Sequence, residues 1–200
     1  MTRALLSALV HADAHHIADW LRTRFRRGTA FEMGLPWLSW PAVDFLKRHL
    51  HPGMRVLEFG GGGSTEFFMS RGCDVVTVER SMEWIDKITK RLEGIGAAPR
   101  WQLEYVPESA STSDYLGSLR MGPWNVILID AANRLECLEA ARDYLTHDGM
   151  IVFDNADLDI YSTAPSLMQG LKRLQFGGLG VGRRDATKTD IYYRALPSPA

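Results

Sequence analysis

Cysteine is nearly absent from this chain: Cys73 and Cys137 are the only two in 200 residues. Their spacing matches no zinc or thiol-redox motif, so neither a disulfide framework nor a cysteine metal site is expected. Both fall in apolar surroundings and read as core thiols of a reducing compartment. Charge of one sign is lacking too. With 23 basic and 24 acidic residues the formal net charge is -1, which gives no global electrostatic reason to expect nucleic acid or an anionic membrane as partner. No apolar run approaches the roughly 20 residues that span a bilayer. The opening Met1–Val10 stretch is only briefly apolar and runs straight into His11-Ala-Asp-Ala-His15-His16 with no convincing cleavage site. A soluble, cytoplasmic protein is therefore expected. Repeats and low-complexity tracts are missing as well.

What is present suits one ordinary globular domain with a modest extension. Apolar residues make up 46% and charged residues 24%, and a chain this long can bury roughly 70% of its unfolded surface. Leu5, Leu6, Leu9, Ile17, Trp20, Leu21 and Phe25 recur at helical spacing over residues 2–27, and Gly28 ends the pattern. Ser39 is placed to cap a helix that carries Pro41 in its first turn and runs to about Leu50. Short apolar strands follow near 55–59, 75–79, 101–105, 125–129 and 150–154, with helical patterns near 64–70, 82–93, 109–119 and 133–145 between them. Such alternation predicts an α/β fold: a Rossmann-like, doubly wound, mostly parallel sheet with helices on both faces. A last helix near 164–172 and two strands around Leu174–Phe176 and Thr189–Arg194 predict an antiparallel pair at one edge. Residues 1–50 form a helical extension or cover in this reading, and residues 51–200 the ligand-binding domain.

The most informative stretch is Arg55-Val-Leu-Glu58-Phe-Gly60-Gly61-Gly62-Gly63-Ser64-Thr65, followed by Val75-Val-Thr-Val-Glu79. It reads as a buried strand, a glycine turn, a helix start and a second strand closed by an acid. A backbone brought this close to something at a strand end is commonly cradling a nucleotide-like ligand. Glu58 sits just before the glycines, where a dinucleotide would place its pyrophosphate. A carboxylate there repels phosphates and attracts an ammonium. S-adenosylmethionine carries an ammonium and a sulfonium and no phosphate, so the charge pattern favours it over NAD. A nicotinamide-binding Rossmann domain remains the competing reading. Its fingerprint wants a third glycine three positions after the second, where this chain has Thr65.

Glu58-Phe-Gly60-Gly-Gly62-Gly, the acid Glu79 and the strand Asn125-Val-Ile-Leu-Ile-Asp130 together resemble the class I S-adenosylmethionine-dependent methyltransferases, over most of residues 36–194. Pro36-Trp-Leu38, the stretch from Asp130 to Cys137 and the ending Tyr192-Tyr-Arg194 are similar to an uncharacterised bacterial branch of that superfamily. The resemblance implies a transferase that moves methyl from S-adenosylmethionine to a small-molecule acceptor. In that reading Gly60 and Gly62 let the ligand touch the backbone. Ser64 or Thr65 caps the next helix, whose amides suit the methionine carboxylate. Glu58 attracts the ammonium, directly or through water. Glu79 accepts from the ribose hydroxyls, while Arg80 and Ser81 border the adenine.

Methyl transfer from a sulfonium needs in-line positioning and, for a hydroxyl acceptor, removal of a proton. Asp130, Asp154 and Asn155 end the fourth and fifth strands, where such groups belong. Their placement is similar to the magnesium ligands of catechol-type O-methyltransferases, which implies oxygen as the acceptor atom and a divalent metal, Mg2+, as a candidate. Metal-free polar binding and a purely structural cluster stay open beside it. Those enzymes carry a lysine where this chain has Asn133; Arg134 follows, a poor base suited to anchoring an acidic substrate or pairing with a carboxylate. A catalytically silent S-adenosylmethionine sensor or partner protein is the alternative function.

Several features carry weaker readings. Arg22, Arg24, Arg26 and Arg27 read as a solvated helix end. His15 and His16 read as surface histidines of the cover, with a catalytic base as the alternative. Trp37 and Trp40 are either paired indoles at the sulfonium or acceptor, or a seam that docks the N-terminal helices. Tyr161, after the fifth strand, is a candidate for the acceptor mouth. The acceptor's identity and the oligomeric state are not readable from the chain.

Overall fold

The computed structural model describes residues 14–25, 29–95, 100–183 and 185–199, together with Leu6 and Val10. The runs Val126–Ile129 and Ile151–Phe153 are too short for helices and apolar on both sides, as strands covered on two faces require. They lie in β4 (Trp124–Ile129) and β5 (Leu145–Asp154), beside β1 (Arg55–Phe59), β2 (Asp74–Glu79) and β3 (Trp101–Tyr105). With β6 (Lys172–Leu179) and β7 (Ala186–Tyr193) these make one sheet of order β3-β2-β1-β4-β5-β7-β6. The first five strands are parallel; β7 runs antiparallel to β5, and β6 to β7. The predicted doubly wound sheet with an antiparallel edge pair is the observed one.

Alternate strand residues feed two cores. Val56, Val75, Val126, Leu128, Met150 and Val152 pack beneath α2 (Trp40–His49), α3 (Gly63–Met69) and α4 (Met82–Gly94). Leu57, Phe59, Val78, Ile127, Ile129, Ile151 and Phe153 face the other way, against α5 (Thr112–Tyr115), α6 (Arg134–Ala141) and α7 (Ala164–Leu167). Each such side chain contributes about 1.5–3 kcal/mol on burial. Cys73 and Cys137 are free thiols in these cores, as predicted. No helix among the described residues is long and apolar enough to cross a membrane.

Boundaries depart from the periodicity in three places. The helix over 109–119 is one turn, α5, followed by a 3-10 turn at Gly117–Met121. The helix over 133–145 stops at Ala141, and β5 begins already at Leu145. A register shift between the pairs Trp124–Leu145 and Val126–Met150 absorbs the polar residues that read as a loop. The helix over 164–172 stops at Leu167. Gly170 then takes a left-handed φ of 89° and β6 starts at Lys172.

Ahead of the sheet, α1 (Ala14–Phe25) accounts for the part of the N-terminal helical pattern that is described; most of residues 2–13, Arg26, Arg27 and Gly28 lie outside it. Trp20 of α1 is buried and its Nε1 donates to the Arg183 carbonyl at 2.9 Å. Ser39 does precede α2, but its hydroxyl donates to the Phe176 carbonyl (2.9 Å) and makes no cap bond. The 30–35 segment lies so close to Gly63 that an added Cβ there would stand 2.3 Å from the Leu35 carbonyl oxygen. Gly63→Ala should therefore cost about 1–3 kcal/mol by overpacking, more than the roughly 0.5–1 kcal/mol that alanine gains within a helix. Gly62→Ala, with open space around the new methyl, should stay within about 0.5 kcal/mol of the parent. Urea denaturation of both variants measures the contrast, and equal costs would contradict the packing.

Candidate active site

The glycine turn is held in place by two acids. Glu58 on β1 stands opposite Thr77 on β2 and is fully buried. It accepts hydrogen bonds from Ser64 Oγ (2.7 Å), Thr77 Oγ1 (2.6 Å) and Thr65 Oγ1. Thr77 in turn accepts from Trp101 Nε1 at 2.9 Å, and Thr65 Oγ1 accepts from the Gly62 amide at 3.2 Å. Burial pushes the Glu58 carboxyl up to about 7 against the pull of these hydroxyls. Two sequence readings change here. Glu58 does not itself line the cleft, so of its two readings direct contact with an ammonium is lost; it lies under the turn, and its link to the cleft is Ser64. The N-cap position is Gly62, and Thr65, three residues on, accepts the Gly62 amide there while donating to Glu58; the Ser64 hydroxyl serves Glu58 and caps nothing.

Glu79 holds the turn from the side. Its Oε2 accepts the Gly61 amide at 3.0 Å, and Oε1 accepts the amides of Arg80 (2.7 Å) and Ser81 (2.8 Å). Gly60 completes the turn at a φ of +90°, where a Cβ would meet the Asp130 carbonyl oxygen at 2.7 Å. Ser81 caps α4 by accepting from the Trp84 amide.

Across the switch between β1 and β4, the ends of β4 and β5 do bring Asp130, Asp154 and Asn155 together, around Arg134. Asn133 turns the chain at a left-handed φ of 53°, a conformation asparagine tolerates better than most residues. Arg134 then donates from Nη2 to Asp130 Oδ1 (2.8 Å), and from Nη1 to Asn155 Oδ1 (3.1 Å) and the Asp154 carbonyl (2.9 Å). Its Nε reaches the Ala131 carbonyl at 2.9 Å. The buried Asp154 carboxylate accepts from Thr189 Oγ1 at 2.9 Å, and Thr189 accepts the Ser39 amide at 3.2 Å. Burial and the charge of Asp130 push Asp154 up to about 7, while burial raises Asp130 against the pull of Arg134 and Arg183.

A cleft of about 510 Å3 runs over these strand ends, lined by Gly60–Gly63, Ser64, Glu79–Ser81, Asp130, Asp154 and Asn155, with Arg134 and Arg183. Trp37 and Trp84 meet edge to face, 6.2 Å between ring centroids, and Phe31 meets Trp84 at 5.4 Å. The predicted Trp37–Trp40 pair is therefore split: Trp37 faces the cleft, half exposed, and Trp40 is in the core. Tyr161 packs edge to face on Phe153 and beneath the Arg134 guanidinium, and is not part of the cleft wall. Arg80 Nε and the Tyr115 hydroxyl are buried beside the cleft with no hydrogen-bond partner among the described residues.

No protein-family profile matches the chain, and no curated protein matches it by sequence. Solved structures do. Cofactor-bound Rv0187 from MTB superimposes with a TM-score of 0.62 at 22% identity, covering 96% of this chain and 95% of that one. A provisional O-methyltransferase from Klebsiella pneumoniae gives 0.61 at 18%, covering 96% and 94%. An rRNA methylase from Streptococcus thermophilus gives 0.59 at 15%, covering 76% and 94%. The chain shares its Rossmann-like fold with these proteins. At these identities the likeness carries the fold alone, and acceptors as unlike as these leave the substrate to the site itself.

Within that fold, the magnesium implied by the catechol-type resemblance can be tested on the donor set. A magnesium ion wants octahedral oxygens at about 2.0–2.1 Å. Here Asp130 Oδ1 and Asn155 Oδ1 already hold the Arg134 guanidinium, and Asp154 Oδ1 accepts from Thr189. A second, divalent positive charge among these groups would sit against a fixed cation. The three residues do not fit a resident metal while Arg134 is in place. Thr77, Trp101, Thr189, Trp84, Tyr115 and Arg183 were not singled out from the sequence. Their parts are played between residues far apart in the chain, for example Thr189 to Asp154 and Trp101 to Thr77, and no local pattern marks them.

The raised Glu58 carboxyl makes a stability prediction. Between its ordinary 4.5 and about 7, the folded state binds more protons than the unfolded one. Stability should therefore fall as pH rises through that window and level off above it. Glu58→Gln should flatten this slope in denaturation curves taken from pH 5 to 8; an unchanged slope would place the titration elsewhere.

Proposed function

We propose that the chain binds S-adenosylmethionine in this cleft and transfers its methyl group to a hydroxyl of a small molecule, without a metal ion. One observation carries the reading: the cleft over the glycine turn is lined by the carboxylates Glu79 and Asp130. A cationic amino-acid nucleoside gains from that field and a polyanion loses. Glu79 Oε2 takes only the Gly61 amide, which leaves a lone pair for a ribose hydroxyl. The unpartnered Arg80 Nε and Tyr115 hydroxyl suit the acceptor nitrogens of a purine edge. Ser64 and the Gly60–Gly63 backbone line the methionine end. Trp37 and Trp84 supply ring edges and faces for a sulfonium or a flat acceptor.

The bound donor supplies an already activated methyl carbon. The chain's part is to align the acceptor and take its proton. Asp154 is the base: burial and the charge of Asp130 raise its carboxyl well above the usual carboxylate range, it borders the cleft, and Thr189 and the Arg134 clamp fix its position. As the carbon–oxygen bond forms and the carbon–sulfur bond breaks, the hydroxyl proton passes to Asp154. Arg134 holds Asp130 and Asn155 in register. The near-neutral charge of the chain favours a small acceptor over nucleic acid.

Labelled donor incubated with a metabolite pool tests the activity, and label appearing in a small molecule is the expected result. Uptake of S-adenosylhomocysteine without any turnover would leave a binding protein, and tight uptake of NAD in its place would remove the reading altogether. Glu79→Ala should weaken donor binding at least tenfold, about 1.4 kcal/mol, in a calorimetric titration; unchanged affinity would count against the ribose contact. For the acceptor side, kcat/KM should climb with pH through about 7 as Asp154 loses its proton. Asp154→Asn should lose that dependence together with most of kcat. Chelator should leave the wild-type rate unchanged, and a rate abolished by chelator and restored by magnesium would overturn the metal-free mechanism.

A further inference from the structure

Away from the cleft, the start of α1 meets the middle of α2 through three ligand-type side chains. His15 Nε2 lies 3.0 Å and His16 Nε2 2.9 Å from the same oxygen, Oδ2 of Asp44. The two imidazoles stand 4.0 Å apart between centroids, tilted by 50°. All three ligand atoms fall within 4.8 Å of one another. Adjacent residues on a helix point about 100° apart, so two neighbouring histidines that converge on one oxygen are not the usual product of a helix surface. His16 is also buried, contrary to its surface reading, while His15 is exposed.

From these positions we infer that His15, His16 and Asp44 form a zinc-type divalent cation site that fastens the N-terminal helix to α2. Zinc takes imidazole nitrogen at about 2.0–2.1 Å and carboxylate oxygen at about 2.0–2.2 Å. Tetrahedral ligands at those lengths stand about 3.3 Å apart, so the 2.9 and 3.0 Å separations need open by only a few tenths of an ångström. Lys47 Nζ holds the other oxygen, Oδ1, at 2.9 Å, which leaves Oδ2 for monodentate ligation. Among the described residues these three are the ligand set. The role is structural: α1 also bonds the Arg183 carbonyl through Trp20, and Arg183 borders the cleft. An ion here would steady that wall from outside.

The test is independent of methyl transfer. The full chain, stripped with chelator and dialysed, is titrated with zinc alone by calorimetry and with cobalt(II) by visible absorption. One ion per chain and the intense bands of four-coordinate cobalt are expected, with a melting temperature that rises in zinc. His15→Ala, at an exposed position, should fold normally by circular dichroism, weaken zinc at least roughly tenfold and lose the cobalt bands. Asp44→Asn should weaken zinc as well, and His49→Ala, outside the cluster, should not. No saturable one-to-one uptake by the wild type, or equal uptake by His15→Ala, would overturn the site.

Discussion

Two carboxylates held under and beside a glycine turn decide how the ligand end of this molecule is built. Glu58 gathers three hydroxyls from β2 and α3, and Glu79 gathers three backbone amides from the turn and the residues after β2. A buried carboxylate without such donors would cost several kcal/mol. The sequence of hydroxyls and glycines around each acid is therefore constrained by the acid itself. Through Thr65 and the Gly62 amide, the floor of the sheet is tied to the very backbone that faces the cleft. The turn is rigid because of what lies beneath it.

The opposite wall solves a similar problem with a different counter-ion. Asp130, Asn155 and the end of β5 converge, and convergent oxygens need a positive charge. A guanidinium supplies it here. Its planar fork serves Asp130, Asn155 and two carbonyls at once, which a compact ammonium could not do. The residue that makes this possible is Asn133, whose left-handed turn starts α6 and delivers Arg134 into the gap. Burial and the charge of Asp130 raise the Asp154 carboxyl, against the pull of Thr189 and Arg134.

The N-terminal segment closes the third side. Leu38 and Ser39 pair with the 180–181 turn, Trp20 bonds the Arg183 carbonyl, and the 30–35 backbone rests on Gly63. Each contact joins residues far apart in the chain to the rim of one cleft. The aromatic loop thereby divides its labour: Trp40 is spent on the core and Trp37 on the cleft.

The order of strands and helices, the antiparallel edge, the glycine turn and the acids at three strand ends were legible in the residues, because periodicity and turn chemistry are local. Element ends were less so: β5 began five residues early through a register shift, and two helices shrank to single turns where no apolar face sustained them. What each acid faces was decided only in three dimensions. Glu58 points down and Glu79 into the cleft because Ser64, Thr65 and Thr77 surround the first, and those partners arrive from separate elements. Arg134 in place of a metal, and the meeting of His15 and His16 with Asp44, depend likewise on distances closed by folding. A one-dimensional pattern carries the need for a partner; the packing of the elements chooses which partner meets it.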